Sequence, residues 1–286
     1  MSFKKAILAG LLFPSLIALV SLSGGDGVKQ SDTLERTLTF SGSTGERTLV
    51  IDNIFGSIKV TSHGGNDVLL VAEKTITARD EDHLADAKDE VRLAIQENSD
   101  RIRLYVDGPF RTKNGINYNG SIGYQVLYNF TLRVPRTVNL DLKTVNDGII
   151  TVENVRGNFN IRNVNGEVTL NGMDGSGSAH TVNGEVKVSF TEPPASDCSF
   201  RTVNGDLDIS FPGDMTADLK CKTFNGDVYT DFETTGLPAD PVTRRSKNGI
   251  TRIKTSEFTN IRVGDGGPRF TFDTLNGDIL IKSNNK

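Results

Sequence analysis

Tryptophan is missing from this chain, and all aromatic residues together make up only 7% of it. Hydrophobic residues reach just 36% of 286 positions, too few for a thick core and suited to a thin, elongated one. Three histidines, His63, His83 and His180, stand far apart without metal-ligand spacing, so no metal site is expected. A Gly-x-Ser-x-Gly elbow is lacking, and the glycine-rich stretch Gly172 to Gly177 has no phosphate-loop lysine. These absences point away from a catalytic residue or a bound cofactor. Basic residues do not dominate either: the net charge is −4, which argues against nucleic acid as a partner.

What is plentiful is glycine, 29 residues of it, a usage that favours tight turns over long helices. The N-terminus carries Lys4 and Lys5, then an apolar run from Ala6 to Val20, then Ser21 and Ser23 before Gly24. That order reads as a secretory signal over residues 1–23. A retained anchor is the alternative, but the run falls short of the ~20 residues that span a bilayer. Cleavage would remove two positive charges and take the net charge from −4 to −6. The mature chain is therefore expected to be exported, periplasmic or at the cell surface, with no stable transmembrane segment.

Internal similarity is the strongest signal. Lys143-Thr144-Val145-Asn146, Arg162-Asn163-Val164-Asn165-Gly166, His180-Thr181-Val182-Asn183-Gly184, Arg201-Thr202-Val203-Asn204-Gly205, Lys222-Thr223-Phe224-Asn225-Gly226 and Asp273-Thr274-Leu275-Asn276-Gly277 align without gaps. Ser246-Lys247-Asn248-Gly249 is a degenerate copy. Apolar residues alternate on both sides of each turn, as in Phe159 and Ile161 before the second copy and Val168 and Leu170 after it. Such alternation marks strands with one buried face. The expected fold class is all-β: a parallel β-solenoid, or β-helix, of short Thr-Val-Asn-Gly-marked coils over residues 136–286. An antiparallel meander of Asn-Gly hairpins is the alternative, but nothing in a meander requires one tetrapeptide to recur.

In a parallel stack equivalent residues form columns. Asn146, Asn165, Asn183, Asn204, Asn225, Asn248 and Asn276 are expected to bond side chain to side chain as a turn ladder. Lys143, Arg162, His180, Arg201 and Lys222 form a basic column. Glu167, Glu185, Asp206, Asp227 and Asp278 form an acidic one. Like charges ~4.8 Å apart repel by about 0.9 kcal/mol even in water, so each column is expected to offset the other. Cation binding by the acidic column is a weak alternative without a calcium repeat. Cys198 and Cys221 fall on strands expected to be neighbours but two residues out of step, which favours free thiols over a disulfide.

Residues 24–135 lack the turn motif and are expected to form a β-rich cap with one helix over residues 80–96, its stripe made of Leu84, Ala87, Val91 and Ala94 or Ile95. Exposed loops around Tyr118 and between Leu237 and Arg245 are the candidate contact surfaces.

Val134-Pro135 followed by Leu140-Asp141-Leu142-Lys143-Thr144-Val145-Asn146, the serial Thr-Val-Asn-Gly-Asp/Glu turns, and Gly266-Gly267-Pro268 before Phe270 and Phe272 carry a resemblance. Over roughly residues 45–282 the chain resembles the putative-adhesin family of bacterial β-strand-repeat proteins, a domain of unknown function. The resemblance implies a β-repeat architecture and a non-enzymatic structural or adhesin-like binding role in the cell envelope, with no catalytic residues to transfer. The partner would be an unknown protein, glycan or other envelope component. Asp147, inserted before Gly148, and Lys247-Asn248-Gly249-Ile250, without its acidic residue, depart from the pattern. A carbohydrate-active enzyme on a β-helix scaffold stays open, because stacked Glu167, Glu185 and Asp206 could meet the ~5–9.5 Å carboxylate separation that glycoside hydrolysis needs. So does a self-assembling envelope scaffold.

Overall fold

The computed structural model describes residues 27–42, 46–112, 115–116, 122–239, 243–247, 250–254 and 258–284. The expected signal over 1–23, Tyr118 and Asn248 lie outside the described residues.

Among the described residues, two large sheets of ten and eleven strands make up the fold, with two separate two-stranded ribbons. After residue 135 the chain alternates between the large sheets. Asn139–Lys143, Phe159–Arg162, Gly177–His180 and Cys198–Arg201 lie side by side in one, and Ile150–Glu153, Val168–Met173, Val186–Phe190 and Leu207–Phe211 in the other. Every one of these neighbours is parallel: Leu140 pairs with Phe159, Phe159 with Gly177, Val168 with Val186, Val186 with Leu207. The period-two pattern is the cause. Leu207, Ile209 and Phe211 are wholly buried while Asp208 and Ser210 are only partly so. A one-residue slip would exchange the two sets.

The inward faces of both sheets belong to one continuous hydrophobic core. Towards the C-terminal units it becomes aromatic. Phe190 stacks on Phe211 at 5.1 Å between ring centroids, and Phe211 on Phe270 at 5.2 Å.

The units are not stacked in chain order. Arg269–Asp273 pairs with Cys198–Arg201 on one side and Ala217–Lys222 on the other, and Ile279–Ser283 lies between Leu207–Phe211 and Val228–Thr230. The last unit of the chain is thus inserted ahead of the one that precedes it. Apolar burial accounts for this: Phe270, Phe272, Ile279 and Ile281 are all fully buried, whereas Val228 and Thr230 sit at matching positions in the outer unit. Each such side chain contributes about 1.5–3 kcal/mol when buried, so the more apolar unit takes the inner place. Cys198 and Cys221 are consequently not on neighbouring strands, because the strand holding Phe270 and Phe272 separates them.

Three further expectations are corrected. The helix is Glu81–Glu90 rather than 80–96. Asp80 caps it, accepting a hydrogen bond from the His83 backbone N–H at 3.0 Å, and Val91 is already extended (φ −105, ψ 116). Leu84, Ala87 and Val91 are buried as expected, but Ala94 and Ile95 belong to strand Arg92–Glu97, antiparallel to Arg101–Asp107. The stripe of a helix and the alternation of an edge strand overlap in Val91, Leu93 and Ile95, and β-branching favours the strand.

The boundary at 135 does not separate two sheets. Thr48–Asp52 and Ile58–His63 pair in parallel with Asn139–Lys143 and Ile150–Glu153, forming a unit of their own. Its turn, Asn53-Ile54-Phe55-Gly56, lacks the motif, yet Phe55 bridges to Asn146. Finally, Thr243–Lys247 and Ile250–Lys254 pair antiparallel with each other, so Ser246 and Lys247 of the degenerate copy belong to a separate ribbon rather than to the parallel stack.

Glycine is required where turns stack. Gly277 has φ +151, and a Cβ there would lie 2.0 Å from the Gly205 carbonyl oxygen. Gly277→Ala is expected to lower unfolding free energy in urea by at least about 2 kcal/mol. Gly236→Ala, where nothing lies within 4 Å, is the control and should stay within about 0.5 kcal/mol of wild type; equal effects would contradict the stacked-turn geometry.

Candidate functional site

Each turn is built from two side chains with different tasks. The threonine points inward and donates to the glycine carbonyl of an adjacent unit: Thr144 to Gly56 at 2.8 Å, Thr181 to Gly166 at 2.9 Å, Thr202 to Gly184 at 2.8 Å, Thr274 to Gly205 at 3.1 Å and Thr223 to Gly277 at 2.9 Å. Asn163 replaces threonine in one copy and makes the equivalent bond to Gly148 at 3.0 Å. These bonds satisfy backbone oxygens that turns would otherwise leave unpaired beside the core.

The asparagine two residues on faces outward. Asn165 donates to Asn146, Asn183 to Asn165, Asn204 to Asn183, Asn276 to Asn204 and Asn225 to Asn276, each at 2.7 Å. A side-chain amide carries both donor and acceptor, so identical residues in a column satisfy one another. Six of the seven predicted asparagines are brought together here, with Asn276 seated between Asn204 and Asn225. The inward threonine was not singled out from sequence, although its recurrence was visible.

The charge columns differ from the simple expectation. Register places Lys143, Arg162, His180, Arg201, Asp273 and Lys222 in one line. An aspartate therefore interrupts the basic column and binds Arg201 at 2.8 Å. Arg162 pairs with Asp141 at 2.8 Å, and Lys143 lies 3.9 Å from Asp52. Repulsion is thus relieved within the sheet, not across the turn. His180, with arginines on both sides, has its pKa lowered, chiefly by burial and then by Arg201 and Arg162, with Asp273 opposing.

In the acidic line Asp206 accepts the Asp278 backbone N–H at 2.8 Å, and Asp278 that of Asp227 at 2.9 Å. Glu185 binds Lys187 at 2.6 Å, and Glu167 accepts from the Thr169 hydroxyl. Asp206 and Asp278 thus tie neighbouring units together, while Glu167 and Glu185 bind within their own strands. Among the described residues no three of His, Cys, Asp and Glu converge on a metal-sized site. Burial pushes the Cys198 thiol up to about 11 and the Cys221 thiol to about 12, and both are free, so neither is poised as a nucleophile.

A shallow groove on one sheet is lined by Asn139, Asn158, Asn160, Ser176, Ser196 and Asp197. Its polar atoms are largely engaged in the scaffold: Asn139 accepts from the Asn158 backbone, Ser176 from that of Ser196, and Asp197 from that of Arg269.

Of the seven large apolar residues exposed among those described, Leu34 and Ile149 aside, five lie beside the asparagine ladder or in the terminal unit. Val182, Leu275 and Phe224 precede Asn183, Asn276 and Asn225, with exposures of 37%, 45% and 72%. In the strand that follows the Phe224 turn, Val228 is 38% and Tyr229 52% exposed. This ridge, ending in the open terminal unit, is the candidate contact surface. The sequence held the signal, since Phe224 stands where other copies have valine or leucine. Of the surfaces expected from sequence, Tyr118 and residues 240–242 of the Leu237 to Arg245 loop lie outside the described residues.

Geometry defines the class first: an all-β protein with parallel strands in its sheets and one helix. The comparison with known families agrees, as residues 129–259 match the family described as Toastrack DUF4097, and the resemblance drawn from the turns is borne out. No curated protein matches the chain. Similar solved structures include a putative cell adhesion protein from Clostridium sporogenes, at 11% identity and TM-score 0.38, over 89% of this chain and 100% of that one. A putative lipid binding protein from Parabacteroides distasonis aligns at 11% identity and TM-score 0.33, over 90% and 98%. A putative adhesin from Parabacteroides merdae aligns at 8% and 0.28, over 88% and 95%. No helix among the described residues is long and apolar enough to cross a membrane.

Two outcomes follow from the ladder and the column. Asn276→Ala, which removes two amide bonds, should cost about 1–2 kcal/mol in urea unfolding, and Asn225→Ala, which removes one, about half as much. Equal and negligible effects would remove the ladder as a stabilising element. Because the folded state lowers the His180 pKa, stability is present above the unfolded value of about 6.5 and is lost as pH falls below it. Unfolding compared at pH 7.5 and 5.5 should show a smaller drop for His180→Gln than for wild type.

Proposed function

We propose that the chain is an exported, non-enzymatic binding module of the bacterial cell envelope, built as a β-solenoid. The observation that carries the binding role is the exposed apolar ridge of Val182, Leu275, Phe224 and Tyr229 on a scaffold whose register is held by bonded turns. Contiguous exposed apolar residues mark interaction surfaces more often than isolated ones do, and a rigid wall presents them at little cost in conformational entropy. The reading of export rests on Lys4, Lys5 and the apolar run that follows them.

The non-enzymatic reading is supported by where the carboxylates go. Asp206 and Asp278 accept backbone N–H groups, and Glu185 is paired with Lys187, whereas a glycosidase needs two carboxylates facing one cleft. On this reading the partner is a protein, glycan or other envelope component, and no cofactor is involved.

The test expresses the full chain in a bacterial host and measures compartment and binding together. The product should appear outside the cytoplasm with Gly24 as its first residue. It should bind envelope preparations, and Phe224→Ser with Tyr229→Ser should weaken binding at least about tenfold while leaving the circular dichroism spectrum unchanged. Cytoplasmic retention at full length would contradict export. Turnover of an envelope polysaccharide that disappears in folded Glu185→Gln would contradict the non-enzymatic role.

A further inference from the structure

The ten-stranded sheet ends, at the N-terminal side of the stack, in a strand with a neighbour on one side only. Val28–Leu38 pairs antiparallel with Val68–Ala78 through all 11 of its residues, without a shift in register. Among the described residues it pairs with no other strand, and Leu38 alone of its residues is buried. An edge strand directs alternate N–H and C=O groups outward and is a template for another strand. Edges are blunted by proline, by a bulge, by shortness or by charge. This one is long, regular and free of proline, so charge alone decides what can cover it.

The charged residues are Lys29, Asp32, Glu35 and Arg36, and their order fits a copy of the same strand. Antiparallel pairing about Leu34 sets Asp32 opposite Arg36 twice, Thr33 opposite Glu35 and Ser31 opposite Thr37. No like charges then face each other, and opposite charges directly across a pair are stabilising. Pairing about Asp32 or about Glu35 would set that carboxylate against itself. Pairing about Thr33 would leave Asp32 opposite Leu34 and Arg36 opposite Gln30, with no ion pair made.

Leu34 stands in the middle of the same row. Residues two apart share a face of the sheet, and Asp32, Leu34 and Arg36 lie opposite Lys74, Ala72 and Leu70. Ala72 and Leu70 are buried in the core, yet Leu34, one strand further out on that face, is 40% exposed. The apolar surface thus runs past its last cover. Both flanking charges keep bonding capacity. Arg36 donates one nitrogen to Glu97 at 2.9 Å and is half exposed, and Asp32 accepts from Gln30 at 3.2 Å. A guanidinium has five donors and a carboxylate about four acceptor sites.

We propose that Val28–Leu38 of one copy pairs antiparallel with Val28–Leu38 of a second copy, about a two-fold axis at Leu34. The two ten-stranded sheets then join into one. On the axis the two Leu34 side chains meet, and on either side Asp32 of one copy binds Arg36 of the other. The same surface serves both chains, so the assembly closes as a dimer and does not grow into a filament. The contact uses none of the residues of the apolar ridge. It goes beyond the envelope reading and fails separately from it, because self-association is measured without any other component.

The experiment uses the chain as a bacterial host delivers it, in sedimentation equilibrium and in light scattering after size exclusion. A contact along one strand is small, so wild type should dimerise with a dissociation constant of about 1–100 μM, and salt should weaken the dimer. Asp32→Arg alone and Arg36→Asp alone each set like charges opposite twice, and each should weaken it at least about tenfold. An equimolar mixture of the two variants should dimerise again, because one copy then offers only carboxylates at these positions and the other only guanidinium groups. That recovery cannot come from misfolded variants. Register is read by cross-linking. Leu34→Cys, directly opposite its own copy at ~5 Å between Cα atoms, should oxidise to a disulfide-linked dimer. Glu35→Cys, two residues out of step with its copy and ~8 Å away, should not. A monomer at every concentration, a dimer indifferent to both charge reversals, a mixture that stays monomeric, or linkage through Glu35→Cys without linkage through Leu34→Cys would each overturn the proposal.

Discussion

Parallel, in-register pairing of the main chain is the constraint from which the other features follow. Neighbouring strands ~4.8 Å apart put each residue directly beside its counterpart in the next unit, so every position must tolerate itself as a neighbour. Asparagine does so because one amide both gives and receives a hydrogen bond, as in the run from Asn146 to Asn225. Glycine does so where backbones approach too closely for a side chain. Aromatic rings stack, as Phe190, Phe211 and Phe270 do. Charged residues are the difficult case. The structure answers with Asp273 among the cations and with carboxylates turned onto backbone N–H groups.

Repetition also creates ends, and the two ends are treated differently. At the N-terminal end the antiparallel strands Val28–Leu38, Val68–Ala78 and Tyr124–Pro135 close one sheet, and Arg92–Glu97 closes the other. Opposite them, among the described residues, one sheet receives such a cover, through Thr259–Val263 and Thr234–Gly236. The asymmetry is tied to the inserted last unit. The chain leaves the stack after Thr230, forms the covering strand Thr259–Val263, and then returns to fill the place beside Cys198–Arg201 and Leu207–Phe211. The displaced unit, less apolar in its second strand, is left outermost.

Local signals were legible in the sequence and long-range order was not. Alternating apolar residues and recurring Asn-Gly turns foretold strands, their faces and their registers, because those depend on period alone. Neither the place of Asn276 nor the separation of Cys198 from Cys221 can be read that way, since both depend on which unit gains most by being covered. The first unit escaped notice because Asn53-Ile54-Phe55-Gly56 lacks the tetrapeptide while keeping the geometry. The helix was overextended where two periodicities share Val91 and Ile95. At the candidate surface the columns were visible as residue types, but exposure of Phe224, Val228 and Tyr229 arises from their position at the end of the stack.

The unit order is the most demanding part of this account and can be measured by cross-linking. Ser199 is in register with Thr271, on the adjacent strand, while Lys220 lies one strand further away. Adjacent parallel strands bring paired Cα atoms to ~4.8 Å, within disulfide range, and two strands apart they are ~9.6 Å, beyond it. Ser199→Cys with Thr271→Cys should therefore oxidise to an intramolecular disulfide in the folded protein, and Ser199→Cys with Lys220→Cys should not. The reverse result would show units stacked in chain order and contradict the inserted arrangement.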